Sequence, residues 1–322
     1  MINSANTSIT EEQIKILLSY AVLAPSSHNT QPWRFEIADG DVSLFADRTR
    51  ALPVNDADDR ELTISCGCAL MNLRVAAAYE RVGIKFTITP DSDDDLLAVI
   101  SFDKESFISK DEAGLFKSIE GRRTYRKRFS TKEIPTTMLN SLCATASEEG
   151  AWLEVIKLEG DRQRVAELVS EGDSIQWANP SWRRELAAWM HPRRKGDGLS
   201  MPGLVAPIAR VVVRTFDMGN GVGAKDKQLA DESPALAVLG TAGDNVRDWL
   251  AVGQALEKVL LSAHSQGLQA SYLNQPIQVA SLRPKLQNLL SEKGFPQILL
   301  RLGFPEYEIE AAPRRRIEEV IN

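Results

Sequence analysis

Ala24-Pro25-Ser26-Ser27-His28-Asn29-Thr30-Gln31-Pro32-Trp33 is the stretch on which the reading of this chain turns. It packs small hydroxyls, an imidazole and two carboxamides between two prolines. Each proline pushes the residue before it out of the helical region, so the backbone here is extended or turning. Its amides and short polar side chains are left free to meet a planar ring edge rich in donors and acceptors. They suit a second loop of the same protein equally well, because Asn and Ser favour turns in any case. Upstream, a Thr10-Glu11-Glu12-Gln13 capping box opens a helix in which Ile14, Leu17, Leu18, Ala21 and Val22 recur at helical spacing.

Downstream, the pattern predicts strands over 34–38 and 42–46 joined at Asp39-Gly40, a strong hairpin signal. A charged irregular segment leads to a long helix over 60–82, rich enough in Ala, Leu, Val and Cys to be buried on most sides. Two strands follow, over 84–89 and 96–102, with an acidic turn over 91–95. The chain then starts again: a helix ending near Gly121, a second opening at Pro135, a strand over 151–158 and mostly helix over 161–189. Loop over 192–207 and a β-rich strand over 208–215 complete this part. The two long helices match without a gap. Ile64, Gly67, Ala69, Leu70, Leu73, Val75 and Ala77 line up with Leu250, Gly253, Ala255, Leu256, Val259, Leu261 and Ala263. Shared small residues also suit any two buried helices. The repeated order of helix, strand, long helix and strand argues for two copies of one α+β unit.

Composition narrows the class. With 322 residues, 43% hydrophobic and 25% charged, the chain has the profile of a globule with a real core, in two units or one large one. A net charge of -6 gives no general attraction to nucleic acid or to an anionic membrane. Residues 1–9 show no basic-then-apolar leader, and no apolar run approaches the roughly 20 residues of a membrane span. These features predict a cytoplasmic protein. Cys66, Cys68 and Cys143 are too few for a disulfide framework, and His28, His191 and His264 are scattered, so no metal site is expected.

The string APSSHNTQPW closely resembles the loop after the first helix of the nitroreductase-like flavoproteins, where P-S-x-x-N-x-Q-P-W touches the ring system of FMN. Single-domain members work as intertwined homodimers with FMN at the interface, one subunit giving this loop and the other a basic R-x-S-x-R segment. The resemblance implies an α+β nitroreductase-like fold: two tandem copies fused as a pseudo-dimer, antiparallel or mixed central sheets flanked by helices, and long buried central helices. The halves are expected at 1–105 and 106–322. The first has the loop but no Arg segment; the second has Arg122-Arg123-Thr124-Tyr125-Arg126 but reads CATASEEGAW where the loop belongs. Complementary loss implies one FMN per chain.

On this resemblance Pro25, Ser26, Ser27, Asn29 and Gln31 meet the ring, and Arg122, Arg123, Thr124 and Arg126 meet the phosphate. A phosphate wants planar, forked donors, which Arg supplies, although a basic helix end is also simply favoured by the helix dipole. Arg314 and Arg315, in a segment similar to the family's C-terminal basic motif, are further phosphate candidates; a surface tail is the alternative. Leu273, Asn274 and Gln275 align with the segment facing flavin N5, or form a turn. Residues 170–201, with Trp177, Trp182 and Trp189 near Arg183, Arg184, His191 and Arg193, resemble the lid of the Acg-type fused branch, or pack as ordinary helices. The implied activity is NAD(P)H-dependent reduction of a small quinone or nitro acceptor through N5, with no side-chain acid or base assigned. The implied alternative is FMN storage under the lid, and a flavin-free interaction protein is a third possibility. A monomer is expected, with further dimerisation open.

Overall fold

The computed structural model describes residues 9–89, 95–103, 108–192, 195–203 and 205–322. The expected acidic turn lies largely outside them, as does Arg193. In the first unit, β1 (Trp33–Ala38), β2 (Asp41–Ala46), β3 (Ile84–Ile88) and β4 (Leu96–Phe102) form a sheet in the order β1-β2-β4-β3. In the second, β5 (Trp152–Val155), β8 (Ala235–Thr241), β9 (Gln269–Tyr272) and β10 (Phe295–Gly303) repeat it as β5-β8-β10-β9. Every pairing within these two sheets is antiparallel. The mixed alternative enters through single parallel bridges at their edges, Phe35 to Ile321 and Thr124 to Ala270.

Between the sheets runs one core, built on α2 (Arg60–Tyr79) and α9 (Val246–Ser265). A Cβ on Gly67 would lie 2.4 Å from the Leu250 carbonyl oxygen, and one on Gly253 would lie 2.2 Å from that of Ile64. Gly67 and Gly253 are matched positions, as are Ile64 and Leu250. The contact is therefore one contact with its partners exchanged, the signature of a two-fold relation. Only residues without a side chain let these backbones come so close. α2 also has the length and mean hydropathy, 1.3, of a membrane span, but 89% of that window is buried inside the protein.

The units differ between their first two strands. β1 and β2 turn at Asp39-Gly40, with both residues in the left-handed region. β5 and β8 are instead joined through α5 (Glu159–Ala178), α6 (Pro180–Ala188), β6 (Met190–Pro192), β7 (Leu199–Met201), α7 (Ala206–Thr215) and α8 (Gly219–Asp231). The insertion is thus longer than 170–201. It covers the outer face of the second sheet. β2 alternates buried with part-exposed residues, whereas β8 is buried throughout. Leu236 and Val238 pack on Val165 and Val169 of α5, while Ala235, Ala237 and Leu239 face the main core.

Three expectations need correcting. Residues 208–215 are helix, not strand: Pro207 sits in the first turn of α7, and Ala209 and Val213, one helical turn apart, pack on the Trp177–Trp182 cluster. The β-branched composition misled because Ile208 and Val211 face outward. The strand at 151–158 is shorter, since β5 ends at Val155 and α5 begins at Glu159. The segment 192–207 holds β7, paired in parallel with β6. After β10 the tail crosses to the first unit, where Phe35 donates its N–H to Val320 at 2.7 Å and accepts from Asn322 at 2.9 Å.

Candidate functional site

The Pro25–Trp33 loop stores strain. His28, Asn29 and Gln31 take φ of 49°, 55° and 53°, a region L-residues enter at a cost and keep when surroundings enforce it. The enforcement is visible. Gln31 donates its N–H to Ser26 Oγ at 2.9 Å, and Ser27 Oγ donates to Glu61 Oε2 at 2.5 Å. Arg314 donates to Asn29 Oδ1 at 3.1 Å and to the Leu23 and Ala24 carbonyls at 2.9 and 3.0 Å. A residue near the end of the second unit therefore shapes the loop of the first.

Two adjoining cavities open beside this loop, of about 350 and 410 Å³. They share Pro25, Ser26, Thr124, Arg126 and Leu199. Their size suits a small-molecule ligand. The first is walled by Ser27 and His28 of the loop, by Glu61, Ile64, Ser65 and Cys68 of α2, and by Leu273, Asn274 and Gln275. Trp177 and Trp182 cover it, edge to face with centroids 5.5 Å apart. The second is walled by Asn29, Arg122, Arg123, Lys127 and the tail over 309–314.

The structure thus brings Pro25, Ser26, Ser27, Thr124, Arg126, Leu273, Asn274 and Gln275 to the first cavity and Asn29, Arg122, Arg123 and Arg314 to the second. Gln31 and Arg315 line neither. Gln31 is fully buried; its side chain donates to the Gly196 carbonyl at 2.9 Å and accepts from Arg315 N–H at 2.8 Å. The Arg315 guanidinium is engaged by the Gln31 carbonyl at 3.2 Å and lies 3.7 Å from Asp47. Both residues hold tail, loop and lid together rather than facing a ligand.

The charges explain what the second cavity wants. Arg126 has no hydrogen bond or ion pair among the described residues, and it lines both cavities. Burial lowers its pKa from the usual guanidinium value. Arg314 is pushed down to about 9, first by burial and then by Arg122 beside it. Arg123 is lowered by the same two causes. Arg122 meets Glu257 at 3.2 Å, both buried, and burial pushes Glu257 up to about 7 against the pull of Arg122 and Arg314. Arg122, Arg123, Arg126, Lys127 and Arg314 outnumber the two carboxyls that line this cavity, Glu120 and Glu310, so an anion is favoured there.

The first cavity is mixed. Burial lowers His28 to about 4, so its ring is neutral at pH 7, and its buried Nδ1 has no partner. The buried Tyr272 hydroxyl also lacks one. A flat polar-edged ring in the first cavity with an anionic tail in the second satisfies this donor set. Sequence reading overlooked Glu61, Asp173, Asp226 and Arg301. Asp173 carried a signal: it follows Val165 and Val169 at four-residue steps on a buried stripe, where an acid is out of place.

The lid is latched onto the loop. Trp182 donates to Asn55 Oδ1 at 2.9 Å, and Gly198 N–H donates to the Asn29 carbonyl at 3.1 Å. Asp197 pairs with Arg50 and meets His191 at 2.6 Å. Trp189 lies outside the cavities, 5.3 Å from the Arg50 guanidinium. Cys66 and Cys68 are buried free thiols held up in pKa by burial. Among the described residues no group of His, Cys, Asp and Glu is placed to hold a metal.

No family model matches the chain. Two Mycobacterium tuberculosis proteins do, both carrying NAD(P)H nitroreductase as a provisional name. Rv3131 is 30% identical over 96% of this chain and 91% of its own length. The protein acg is 30% identical over 98% and 97%. Among solved structures, the FMN-dependent nitroreductase NfnB of Mycobacterium smegmatis, in complex with NADPH, superposes loosely. Its TM-score is 0.42 at 15% identity, over 63% of this chain and 94% of its own. The chain belongs to the nitroreductase family, and within it to the branch that contains acg.

Proposed function

We propose that this chain binds one FMN across the two cavities and passes electrons from NAD(P)H to a small quinone or nitro acceptor. The observation that carries the reading is the meeting of the Pro25–Trp33 loop of one unit with Arg122, Arg123 and Arg126 of the other. Ser26, Ser27, Asn274 and Gln275 would hold the ring edge, and Leu273 and Ile64 its apolar side. Arg126, Arg122, Arg123 and Arg314 would neutralise the phosphate, with Asn29 fixing Arg314 and Thr124 at the junction. Bound there, FMN would supply the two-electron redox centre that amino acids lack. The protein's part is to orient the ring, hold its phosphate and exclude water beneath Trp177 and Trp182.

One site per chain, with halves divided near residue 105, fits what fills the opposite side of the α2–α9 pair. There the end of α4 (Thr136–Glu148) stands where the end of α1 (Glu11–Ala21) stands in the site. Arg74 pairs with Glu112 and, at 2.6 Å, with Glu149, while Lys258 meets Glu149 at 2.7 Å. This ionic cluster takes the place of a ligand. A cytoplasmic monomer acting on small molecules agrees with the reading.

The latched lid favours a second reading, storage of FMN with little turnover. A visible spectrum of the purified protein, followed by anaerobic stopped-flow mixing with NADPH, separates the two. Bleaching of the flavin within seconds supports the reductase. A yellow protein that stays oxidised for minutes supports storage, and a colourless one that takes up no added FMN defeats both.

A further inference from the structure

Three helices converge on the first cavity at one point, and two glycines let them come so close. Gly172 lets α5 approach α10 (Gln275–Gln278): a Cβ on it would lie 2.7 Å from the Gln275 Cβ. Gly223 lets α8 close on α5, where a Cβ would lie 3.0 Å from Ser170 Oγ and 3.4 Å from the Asp173 Cβ. The product of this packing is a pair of carboxyls with one amide between them. Gln275 Nε2 donates to Asp173 Oδ1 at 3.2 Å and to Asp226 Oδ2 at 3.0 Å. All three side chains line the cavity under Trp177. Asp173 Oδ2 and Gln275 Oε1 are buried without a partner. Two carboxyls bridged this closely in a buried place do not both ionise readily.

Resting on the proposed redox function, we infer that Asp173 and Asp226 form a proton-sharing pair, with Gln275 as its clamp, that delivers the proton the acceptor needs. Reducing a quinone with a hydride equivalent from NAD(P)H requires one more proton: quinone, NAD(P)H and H⁺ give hydroquinone and NAD(P)⁺. The Asp173 O–H bond breaks as the hydroquinone O–H bond forms, and the carboxylate regains its proton from solvent. Burial, then Asp226, raises Asp173 to about 7, and burial raises Asp226 also. The pair is thus poised near neutral pH, where a general acid works best. Asp173 faces Asp226 from α8 and Gln275 from α10. Asp226 also feels Arg301 from β10 and its neighbour Lys225. His28, Glu61, Cys68, Arg126 and Tyr272 complete the ionisable lining of the cavity.

The test is double-mixing stopped flow on the FMN-loaded protein, comparing Asp173→Asn and Asp226→Asn with wild type. NADPH is mixed first and a benzoquinone second. The expected result is a roughly 100-fold slower quinone step in Asp173→Asn, measured against the NADPH step of the same variant. The wild-type quinone step should fall tenfold per pH unit above about pH 7, and the variant should be flat. Equal slowing of both steps, or an unchanged pH profile, overturns the inference. Infrared difference spectra of the loaded protein, wild type minus Asp173→Asn, add a readout that needs no turnover. A protonated carboxyl band should fade with a midpoint near pH 7, and its absence at pH 5.5 overturns the shared proton. Should wild type take no electrons from NADPH, the redox reading fails by itself and the infrared titration still decides on the pair.

Discussion

The two units share a strand order and a central helix yet treat the same edge of the sheet in opposite ways. The first closes β1 onto β2 with a tight turn and leaves that face half open. The second opens the equivalent connection and threads four helices through it, which bury the outer face of β8 and supply the Trp cover and the acid pair. One unit keeps the loop and the other builds the wall. The difference teaches that a symmetric frame can carry one asymmetric site when the copies specialise in separate parts of it.

Several measurements would sharpen or break this contrast. Arg74→Met, on the side without a proposed ligand, leaves Glu112 without its cation and Glu149 with Lys258 alone. Because Lys258 still meets Glu149, it should cost about 2–3 kcal/mol in urea unfolding and leave FMN affinity unchanged. A simultaneous loss of FMN would mean the two sides are not separate. Gly253→Ala forces a Cβ against the Ile64 carbonyl and should cost about 3 kcal/mol, and Gly67→Ala should match it. A large disagreement between the two would deny the two-fold relation.

Arg126→Ala should weaken FMN roughly 30-fold by fluorescence titration, the size of one hydrogen bond to a charged group of about 2 kcal/mol. Arg315→Ala, outside the cavities, should change affinity by less than about threefold. Glu257 gives a pH effect. Its folded pKa, about 7, lies above its ordinary value of 4.5, so between those limits the folded state holds the extra proton. Stability should therefore fall as pH rises across that window, and Glu257→Gln should flatten the slope. Trp182→Phe loses the bond to Asn55 and should cost about 1 kcal/mol in the same unfolding measurement.

Much of this was legible in the residues. The capped first helix, the hairpin at Asp39-Gly40, the long α2 and the ungapped match of α2 with α9 follow from local pattern, and local pattern survives folding. The loop residues Pro25, Ser26, Ser27 and Asn29, with Arg122, Arg123, Thr124 and Arg126, were suggested by the family resemblance, and they line the two cavities. What stayed hidden depends on contacts far apart in sequence. Gln31 and Arg315 resemble ligand residues but serve each other, because the tail returns to lie beside the loop. α7 looked like a strand because of its run of β-branched residues, of which Ile208 and Val211 face outward while Val213 packs inward. Asp173, Gln275 and Asp226 become a trio only where three helices meet at glycines.

The path of the tail bears on how the chain is made. Arg314 holds the Asn29 loop from 285 positions away, and Ile321 closes the open edge at Phe35 from as far. At ribosomal speeds of about 5–20 residues per second, the first unit waits on the order of 15–60 s for the segment that completes it. During that interval β1 presents a bare edge and the loop lacks its clasp. The amino-terminal unit therefore stays unfinished until residues 314–321 have been made, and the site proposed for FMN takes shape only then.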